Sequence, residues 1–333
     1  MMELQERIQL MSEIGKHLAS DHPEWLSTKE RASRENPWFI PEFIDHAVAQ
    51  ICQQFLQPQL LQAWSAQYGL PQTNPVTKTV GLVTAGNIPL VGFHDLLCIF
   101  ISGHKALIKP SSKDSVLLKY IVNKMIELDA RISNLIQFQE QLKNCDAYIA
   151  TGGNNTSRYF SYYFGKYPNI IRKNRTSVAV LDGSETAEEL EALAKDIMLY
   201  FGLGCRNITQ VYVPEGYDFI PLLKTLEAYK HYTDHHSYKH NYDYHLTLLI
   251  MNNKFYMNNG VVVMQEHASP FSPVSHLHYQ YYQNAATIIA HVQNNPDIQC
   301  VVGHAALPFG SAQTPSLTDY ADGVDTMAFL AGL

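Results

Sequence analysis

The stretch TVGLVTAGNIPLVGFHDLLCIFISGHKALIKPSS, from Thr79 to Ser112, decides the fold of this chain. It opens with a short β-branched apolar run that ends at Gly86, which predicts a strand. A helical apolar run closed by Gly103 follows, and "KALIKPSS" then predicts a second strand. A strand, a helix and a strand in this order predict a parallel βαβ unit. Ligands of such sheets bind at the carboxyl ends of the strands.

The same alternation continues downstream. "CDAYIATGGNNTSRYF" predicts a strand, a glycine turn and a helix, and "TSVAVLDG" and "ITQVYVP" predict two more strands. Thr186 and Glu189 have the spacing of a capping box at the start of the helix before "ITQVYVP". The fold class is therefore α/β. No repeat of 20–50 residues is visible.

Other segments carry predictions of local structure. The first 70 or so residues are predicted to be helical, beginning with a helix from Met1 to Leu18, and Pro41 is expected to open another. Ser111 or Ser112 is expected to cap the helix that follows the second strand. The histidine-rich segment His231–His245 is predicted to be a polar loop leading into a strand "LTLLIM", and its spacings match no standard set of metal ligands.

Composition limits the function classes. The 333 residues, 46% hydrophobic and 17% charged, suit a globular protein of two domains, and the formal net charge of -7 argues against non-specific binding of nucleic acid. The five cysteines are widely spaced and form no C-x-x-C pair, so neither a disulfide framework nor a zinc knuckle is expected. No signal peptide or membrane span is evident, which favours a cytoplasmic setting.

Cys205, in "YFGLGCRN", is the candidate nucleophile. The Gly-Leu-Gly turn before it leaves little side-chain bulk, so a substrate can approach closely and backbone N–H groups can face a developing oxyanion. The alternative is a buried thiol, which is the common state of a free cysteine. That alternative is the stronger one for Cys52, Cys98 and Cys300, which lie in apolar segments.

Four further stretches are candidates for a site, each with a structural alternative. Asn87 offers an amide donor to an oxyanion or merely shapes a turn. Lys109 ends the second strand, where a lysine contacts a nucleotide or is solvated. Gly152 and Gly153 precede a helix, whose N-terminus can bind a pyrophosphate. Glu266 can be a surface residue.

In their order along the chain, these stretches resemble the aldehyde dehydrogenase superfamily, and more closely its acyl-CoA reductase branch of LuxC type. "AGNIP" resembles the stretch that holds the oxyanion asparagine, which would give Asn87 that role. "IKPSS" resembles the segment that contacts the adenosine ribose, which implies that role for Lys109. "ATGGN" resembles the turn near the pyrophosphate, which would include Thr151, Gly152 and Gly153.

The resemblance extends to the end of the chain. "GLGCRN" is similar to the nucleophile turn, so Cys205 would be the acylated thiol. "EHASP" resembles the segment that holds the nicotinamide ribose, which implies that role for Glu266. "LPFGSAQTPSLTDYADGVDTMAFL" resembles the closing Pro-Phe-Gly segment. His304, just before it, is a weak candidate for proton transfer.

Two departures from the superfamily pattern refine the expected reaction. Aldehyde-oxidising members have a water-activating glutamate where this chain reads "IIRKNRTSVAVL". This segment has no acid, so the thioester is expected to be exchanged or reduced rather than hydrolysed. Its Arg172, Lys173 and Arg175 form either a solvated turn or a phosphate contact. Ser112 stands where NAD-preferring members carry a glutamate, so NADPH is allowed and preferred, with NADH the alternative.

The resemblance implies an aldehyde dehydrogenase-like α/β protein with a Rossmann-type cofactor domain and an α/β catalytic domain. The expected divisions are an N-terminal helical segment over 1–76, the cofactor domain over 77–180, the catalytic domain over 181–303, and a segment over 304–333 that returns toward the cofactor domain. The chain is short for the superfamily, so the usual tetramer is not assigned, and the expected assembly is a homo-oligomer of unspecified size.

The expected activity is NADPH-dependent reduction of an acyl-CoA, or a related activated acyl group, to the aldehyde. The acyl group comes from a coenzyme A thioester or from an acyl-donating partner enzyme. Two alternatives stay open: an acyltransferase or thioesterase that uses the same acyl-cysteine without hydride transfer, and a non-catalytic nucleotide-binding protein of the same fold.

Overall fold

The computed structural model describes residues 2–333, and these form two compact units. The first unit runs to Asn174 and also includes Ser316–Leu333, and the second is Arg175–Pro315. Among residues 2–333, no helix combines the length and the apolar character needed to cross a membrane.

The α-helices of the described chain are named here in sequence order. They are α1 (Leu4–Leu18), α2 (Pro23–Glu35), α3 (Pro41–Gln50), α4 (Pro58–Gln67), α5 (Phe93–Ile101), α6 (Val116–Leu128), α7 (Asn154–Phe164), α8 (Ala187–Met198), α9 (Ile220–Leu226), α10 (His236–Met251), α11 (Ala285–Gln293) and α12 (Thr326–Ala331).

The strands are named in the same way. They are β1 (Thr79–Val83), β2 (Lys105–Lys109), β3 (Ile136–Phe138), β4 (Ala147–Thr151), β5 (Asn169–Arg172), β6 (Thr176–Val180), β7 (Ile208–Pro214), β8 (Met257–Asn258), β9 (Val263–Glu266), β10 (His276–Tyr282) and β11 (Ile298–Val302).

The first unit contains a parallel sheet in the order β3-β2-β1-β4-β5. The chain leaves β1 toward one side to form β2 and later returns on the other side to form β4. This reversal is the switch point at which open α/β sheets bind ligands. The N-terminal helices and the C-terminal residues share the core of this unit, which includes Ile14, Trp64, Leu82 and Leu330.

The second unit contains a sheet in the order β11-β6-β7-β10-β9-β8. Its neighbouring strands are parallel except for the short β8, which pairs antiparallel with β9. Thr186 is the N-cap of α8: its hydroxyl accepts from the N–H of Glu189, and the Glu189 carboxylate accepts from the N–H of Thr186. This confirms the predicted capping box.

Most of the predicted elements are present. The first helix begins at Leu4, and the predicted start at Met1 lies outside the described residues. Pro41 opens α3 as expected. The sequence does not predict β3, β5, β8, β9 or β10, because each is short or carries polar residues.

Three predictions of local structure are wrong. The segment His231–His245 is not a polar loop, because a 3-10 helix spans Glu227–Asp234 and α10 begins at His236. "LTLLIM" is the last part of α10, not a strand, and of this run Leu249 is buried while Ile250 and Met251 are exposed. A short apolar run does not distinguish a helix from a strand by its periodicity. α6 starts at Val116 after Ser115, which makes no side-chain cap, so neither Ser111 nor Ser112 caps it.

Arg172 is neither part of a solvated turn nor available to a phosphate. The Arg172 guanidinium, 3% exposed, forms a buried ion pair with Asp95 of α5 and donates to the Thr326 hydroxyl at 2.8 Å. The basic character of the segment therefore rests on Lys173, which is exposed, and Arg175, which donates to the Ile298 carbonyl. Arg172 joins β5, α5 and α12 within the first unit.

We expect Arg172→Met to lower the free energy of unfolding by about 3–5 kcal/mol, because it leaves the Asp95 carboxylate buried without its counter-charge. Lys173→Ala, at the exposed neighbouring position, should change it by less than about 0.5 kcal/mol. Urea denaturation of both variants measures the difference. Equal stability of the two variants would contradict the structural role of Arg172.

Candidate functional site

The predicted cofactor residues of the first unit meet at one edge of its sheet. Val83, the last residue of β1, is level with Lys109 at the end of β2 and with Ala150 near the end of β4. The segments that leave these three strands carry Asn87, Lys109 and Thr151, so the structure brings them to the same edge. The side chains of Asn87 and Lys109 are exposed there.

The loop that carries Asn87 is attached to the loop that follows Lys109. The Thr84 N–H donates to the Lys109 carbonyl and the Thr84 hydroxyl accepts from the Ser111 N–H, both at 3.2 Å. The Asp114 carboxylate accepts from the Leu90 N–H at 2.6 Å. Leu90 lies in the left-handed region, with φ +57°, so this hydrogen bond holds a turn that a leucine rarely adopts.

Asp114 is an ionisable group inside the first unit. Its side chain is 6% exposed, and burial raises the pKa of its carboxyl to about 7, while the hydrogen bond from Leu90 lowers it. Nothing in the sequence pattern marks Asp114, which follows "KPSSK" as an ordinary loop residue. It was missed because its partner, a backbone N–H 24 residues away, is visible only in the fold.

The Gly152-Gly153 turn fits a pyrophosphate. Gly153 immediately precedes α7, and a Cβ atom built there would have no other heavy atom within 4 Å, so the backbone is open to a ligand. The first N–H groups of a helix and its dipole favour an anion at this point. Gly152 has no room for a side chain, because a Cβ atom there would lie 2.9 Å from the Phe160 ring. Lys109 and Ser112, in and just after β2, are also exposed.

In the second unit, Cys205 lies on a tight turn between α8 and β7. Tyr200, Phe201 and Gly202 all adopt the left-handed region, with φ +54°, +54° and +77°, so the chain reverses sharply after the helix. Tyr200 and Phe201 are buried, whereas Cys205 is half-buried. Non-glycine residues in this region persist only where the surroundings hold them.

Asn207 holds this turn. Its side-chain amide, fully buried, donates to the carbonyls of Asp196 at 3.0 Å, Ile197 at 3.4 Å and Leu199 at 2.7 Å, and its side-chain oxygen accepts from the Gly204 N–H at 2.8 Å. These carbonyls belong to the end of α8 and the residue after it, where intrahelical donors run out. The sequence signal was present, an asparagine two residues after the cysteine, but was not used.

A second contact fixes the backbone of Cys205. The Ser177 hydroxyl of β6 donates to the Cys205 carbonyl at 3.0 Å and lies 3.1 Å from the Cys300 sulfur. Burial raises the pKa of the Cys300 thiol. Burial likewise raises the pKa of Cys52 to about 11, and that of Cys98 lies well above its ordinary value. Those three cysteines therefore stay protonated near neutral pH.

The structure does not bring Glu266 or His304 together with Cys205. Glu266, at the carboxyl end of β9, is level with Tyr279 and thus with Val211, six residues after Cys205. His304 follows β11, and the last residue of that strand is also level with Val211 through β6. Because the strands are parallel, Cys205 lies at their amino ends and both other side chains lie toward their carboxyl ends. The structure therefore does not place His304, a candidate for proton transfer, next to Cys205.

His304 instead contacts two carboxylates. Its Nδ1 lies 2.9 Å from Asp182 and its Nε2 lies 3.0 Å from Glu189, and the hydrogen bond with Asp182 is the main reason that its pKa is raised. Among residues 2–333, Asp182, Glu185 and His304 are the one trio of possible metal ligands whose ligand atoms lie within 4.8 Å of one another. The histidines of the segment 231–245 are not part of it.

Comparisons with known proteins concern the sequence family and the fold. A family model described as "Acyl-CoA reductase (LuxC)" matches residues 29–220. A protein from Photobacterium leiognathi described as "Long-chain acyl-protein thioester reductase 2" is 25% identical over 175 residues, which are 47% of this chain and 36% of that protein. The matched segment thus spans about a third of that relative's length.

Solved structures with the same fold are aldehyde dehydrogenases. An indole-3-acetaldehyde dehydrogenase in complex with NAD+ gives a TM-score of 0.67 at 11% identity, over 88% of this chain and 70% of that one. The NAD-dependent aldehyde dehydrogenase from Sinorhizobium meliloti gives 0.65 at 11% identity, over 87% and 68%. The Mycobacterium tuberculosis aldehyde dehydrogenase in complex with NAD+ gives 0.63 at 12% identity, over 86% and 70%. This confirms the predicted aldehyde dehydrogenase-like α/β fold.

We expect Asn207→Ala to lower the free energy of unfolding by about 1–3 kcal/mol or more, because it leaves buried backbone groups without their hydrogen bonds. Asn252→Ala is the matched control, since the Asn252 amide also donates to a helix carbonyl but is exposed. Denaturant unfolding compares the two. A loss no greater than that of the control would show that Asn207 does not hold the turn.

The raised pKa of Asp114 predicts a pH dependence of stability. Its ordinary pKa is 3.8 and its folded value is about 7, so the folded protein binds the proton more tightly. The contribution of this carboxyl to stability is therefore full below about pH 4 and is lost as the pH rises to about 7. Asp114→Asn should gain stability relative to the wild type between pH 5 and pH 8, on the order of 1–4 kcal/mol.

Urea unfolding of the wild type and Asp114→Asn at pH 5 and pH 8 measures this effect. The comparison removes the titration of all other groups, including His276 and His278, whose pKa values burial lowers to about 3 and 4. If the two stability curves stay parallel over this range, Asp114 does not titrate as described.

Proposed function

Because the chain belongs to the acyl-CoA reductase (LuxC) family, we propose that it reduces an acyl thioester to the aldehyde through an acyl intermediate on Cys205. The observation that carries this proposal is the half-buried Cys205 on a left-handed turn that Asn207 and Ser177 hold by hydrogen bonds. A thiol on a fixed, partly open turn can accept an acyl group, whereas Cys52 and Cys98 are enclosed.

In the proposed first step, the Cys205 thiolate attacks the carbonyl carbon of the thioester. The C–S bond to the incoming acyl group forms, and the leaving group departs as a thiolate that takes the electron pair of the broken C–S bond. We assign oxyanion stabilisation to the Asn87 side-chain amide and the Cys205 N–H. The segment Ile171–Leu181 supplies no carboxylate that would activate water, so the acyl-cysteine persists for reduction.

We propose that Lys109, Ser112, Thr151, Gly152 and Gly153 hold a nicotinamide cofactor. When bound, NADPH supplies the hydride that reduces the acyl-cysteine. The open backbone at Gly153 before α7 supports a pyrophosphate contact, and the exposed Lys109 supports a ribose or phosphate contact. Ser112, which carries no charge to repel a 2′-phosphate, supports NADPH over NADH.

Glu266 is the weakest member of the predicted cofactor set. Its exposed carboxylate lies at the carboxyl end of β9, away from the end of the sheet at which Cys205 lies. The segment before β10 is nearer to the start of β7, since the Thr209 hydroxyl donates to the Pro270 carbonyl and the Gln210 amide donates to the His267 carbonyl. A ribose contact from this side would therefore come from residues 267–275 rather than from Glu266.

Two acyl donors fit the proposal. The family is described by its acyl-CoA substrate, and the relative from Photobacterium leiognathi is named for an acyl-protein thioester. We propose that coenzyme A thioesters are substrates of this chain, that an acyl-donating partner enzyme is the alternative source, and that the reaction takes place in the cytoplasm. Both donors present the same thioester carbonyl to Cys205.

Oxidation of NADPH and of NADH, followed at 340 nm across acyl-CoAs of increasing chain length, tests this function. We expect turnover with at least one acyl-CoA and a higher kcat/KM with NADPH. Release of free coenzyme A without NADPH oxidation would favour an acyltransferase or thioesterase. Binding of NADPH with neither outcome would favour a nucleotide-binding protein that lacks the reaction.

We expect Cys205→Ala to lose nearly all reduction, because the acyl acceptor is gone. Asn87→Ala should lower kcat about 100–1000-fold, the usual effect of removing one oxyanion donor. The same spectrophotometric assay measures both variants, and Cys145→Ala, at a buried thiol of the first unit, is the control. Wild-type rates in Cys205→Ala would exclude the proposed intermediate.

A further inference from the structure

A buried carboxyl group lies on the helix that precedes the nucleophile turn, residues 200–207. Asp196 is on α8, and its side chain is fully buried. Its Oδ2 accepts from the Gly310 N–H at 2.7 Å. Burial raises the pKa of this carboxyl to about 7, and the N–H groups of Gly310, Ala312 and Gln313 act in the opposite direction. Asp196 thus connects α8 to the loop through Gly310, while its Oδ1 is buried without a hydrogen-bond partner among the described residues.

That loop, residues 308–313, is fitted closely to α8 and to the nucleophile turn. Gly310 has φ +83°, and a Cβ atom there would lie 2.9 Å from the Cβ atom of Ala192. Neither the conformation nor the space admits a larger residue. On its other side, the loop accepts a hydrogen bond at the Ala312 carbonyl from Arg206, at 3.3 Å. Arg206 directly follows Cys205.

The contacts form a closed circuit of three segments. Asp196 connects α8 to the loop, Arg206 connects the loop to the nucleophile turn, and Asn207 connects the turn back to the Asp196 carbonyl. Arg206 also lies close enough to Cys300 to lower the pKa of that thiol, against the larger effect of burial. The position of Cys205 is therefore set by the two residues that follow it: Arg206 is bonded to the loop 308–313, and Asn207 is bonded to α8.

Stability alone does not account for a carboxyl group at this position. Burying an ionisable group costs more than burying an apolar or amide group of similar size. The other inward-facing residues of α8, such as Leu190, Leu193 and Ile197, are apolar. The Asp196 carboxylate accepts from the Gly310 N–H and so attaches the loop to α8 through a hydrogen bond that an apolar side chain cannot make.

We infer that Asp196 is a positioning residue, which sets the geometry of Cys205 through the loop 308–313 and Arg206. The inference deepens the proposed function, on which it rests for the catalytic role of Cys205. Asp196 touches no reacting atom. Its effect is expected on the rate of the steps at Cys205 and not on the binding of the acyl thioester.

The test compares Asp196→Asn and Asp196→Ala with Leu193→Ala, a cavity variant on the same helix that leaves the circuit intact. Each is assayed for kcat and KM with an acyl-CoA that the wild type reduces. Each is also assayed for alkylation of Cys205 by iodoacetamide, quantified by mass spectrometry of the peptide that contains it. Thermal unfolding midpoints report the stability of all three.

We expect Asp196→Ala to lower kcat about 100-fold and Asp196→Asn about tenfold, because the amide oxygen still accepts from Gly310. KM should stay within twofold, and Cys205 should be alkylated more slowly in both variants. Leu193→Ala should keep the wild-type kcat and alkylation rate despite a lower midpoint.

Wild-type kcat and alkylation in Asp196→Ala would overturn the inference. An equal loss of kcat and alkylation rate in Leu193→Ala would also overturn it, because any destabilisation of α8 would then explain the effect. Alkylation needs no acyl substrate, so it decides the positioning role even if the wild type reduces no acyl-CoA. In that case the proposed function fails separately.

Discussion

The nucleophile turn depends on one requirement of backbone chemistry. A chain that leaves a buried helix through left-handed residues exposes carbonyl groups that no longer have helical donors. The single amide of Asn207 supplies hydrogen bonds to three such carbonyls and its oxygen receives the Gly204 N–H. This allows buried residues to adopt a conformation that only glycine adopts readily, and it places Cys205 between a fixed helix end and the first residue of β7.

Each unit uses a buried aspartate to hold a loop of the candidate site. Asp114 joins the Asn87 loop to the loop after Lys109, and Asp196 joins α8 to the loop 308–313. Burial raises the pKa of each carboxyl to about 7. In each case, the hydrogen-bond partner is a backbone N–H group rather than a basic side chain. Each loop is thus held by a directional hydrogen bond to its backbone.

The sequence predicts the parts of this protein that follow local rules. The βαβ order from Thr79 to Ser112, the capping box at Thr186 and the cysteine turn all follow from residue type and spacing within a few positions. The parts it does not predict depend on distant partners. Arg172 reads as a surface cation until Asp95 is seen beside it. The resemblance assigns Glu266 to the nicotinamide ribose, but the strand register places it at the opposite end of the sheet from Cys205. Asp196 interrupts an apolar helical face, and its hydrogen-bond partner, the Gly310 N–H, lies 114 residues away in the sequence.

The central claim is that Cys205 carries the acyl group. Mass spectrometry of the protein incubated with an acyl-CoA, without any nicotinamide cofactor, tests it most directly. The account predicts an acyl adduct on the peptide that contains Cys205, which disappears with formation of the aldehyde when NADPH is added. Aldehyde formation without this adduct, or an adduct on a different cysteine that is consumed at the catalytic rate, would contradict it.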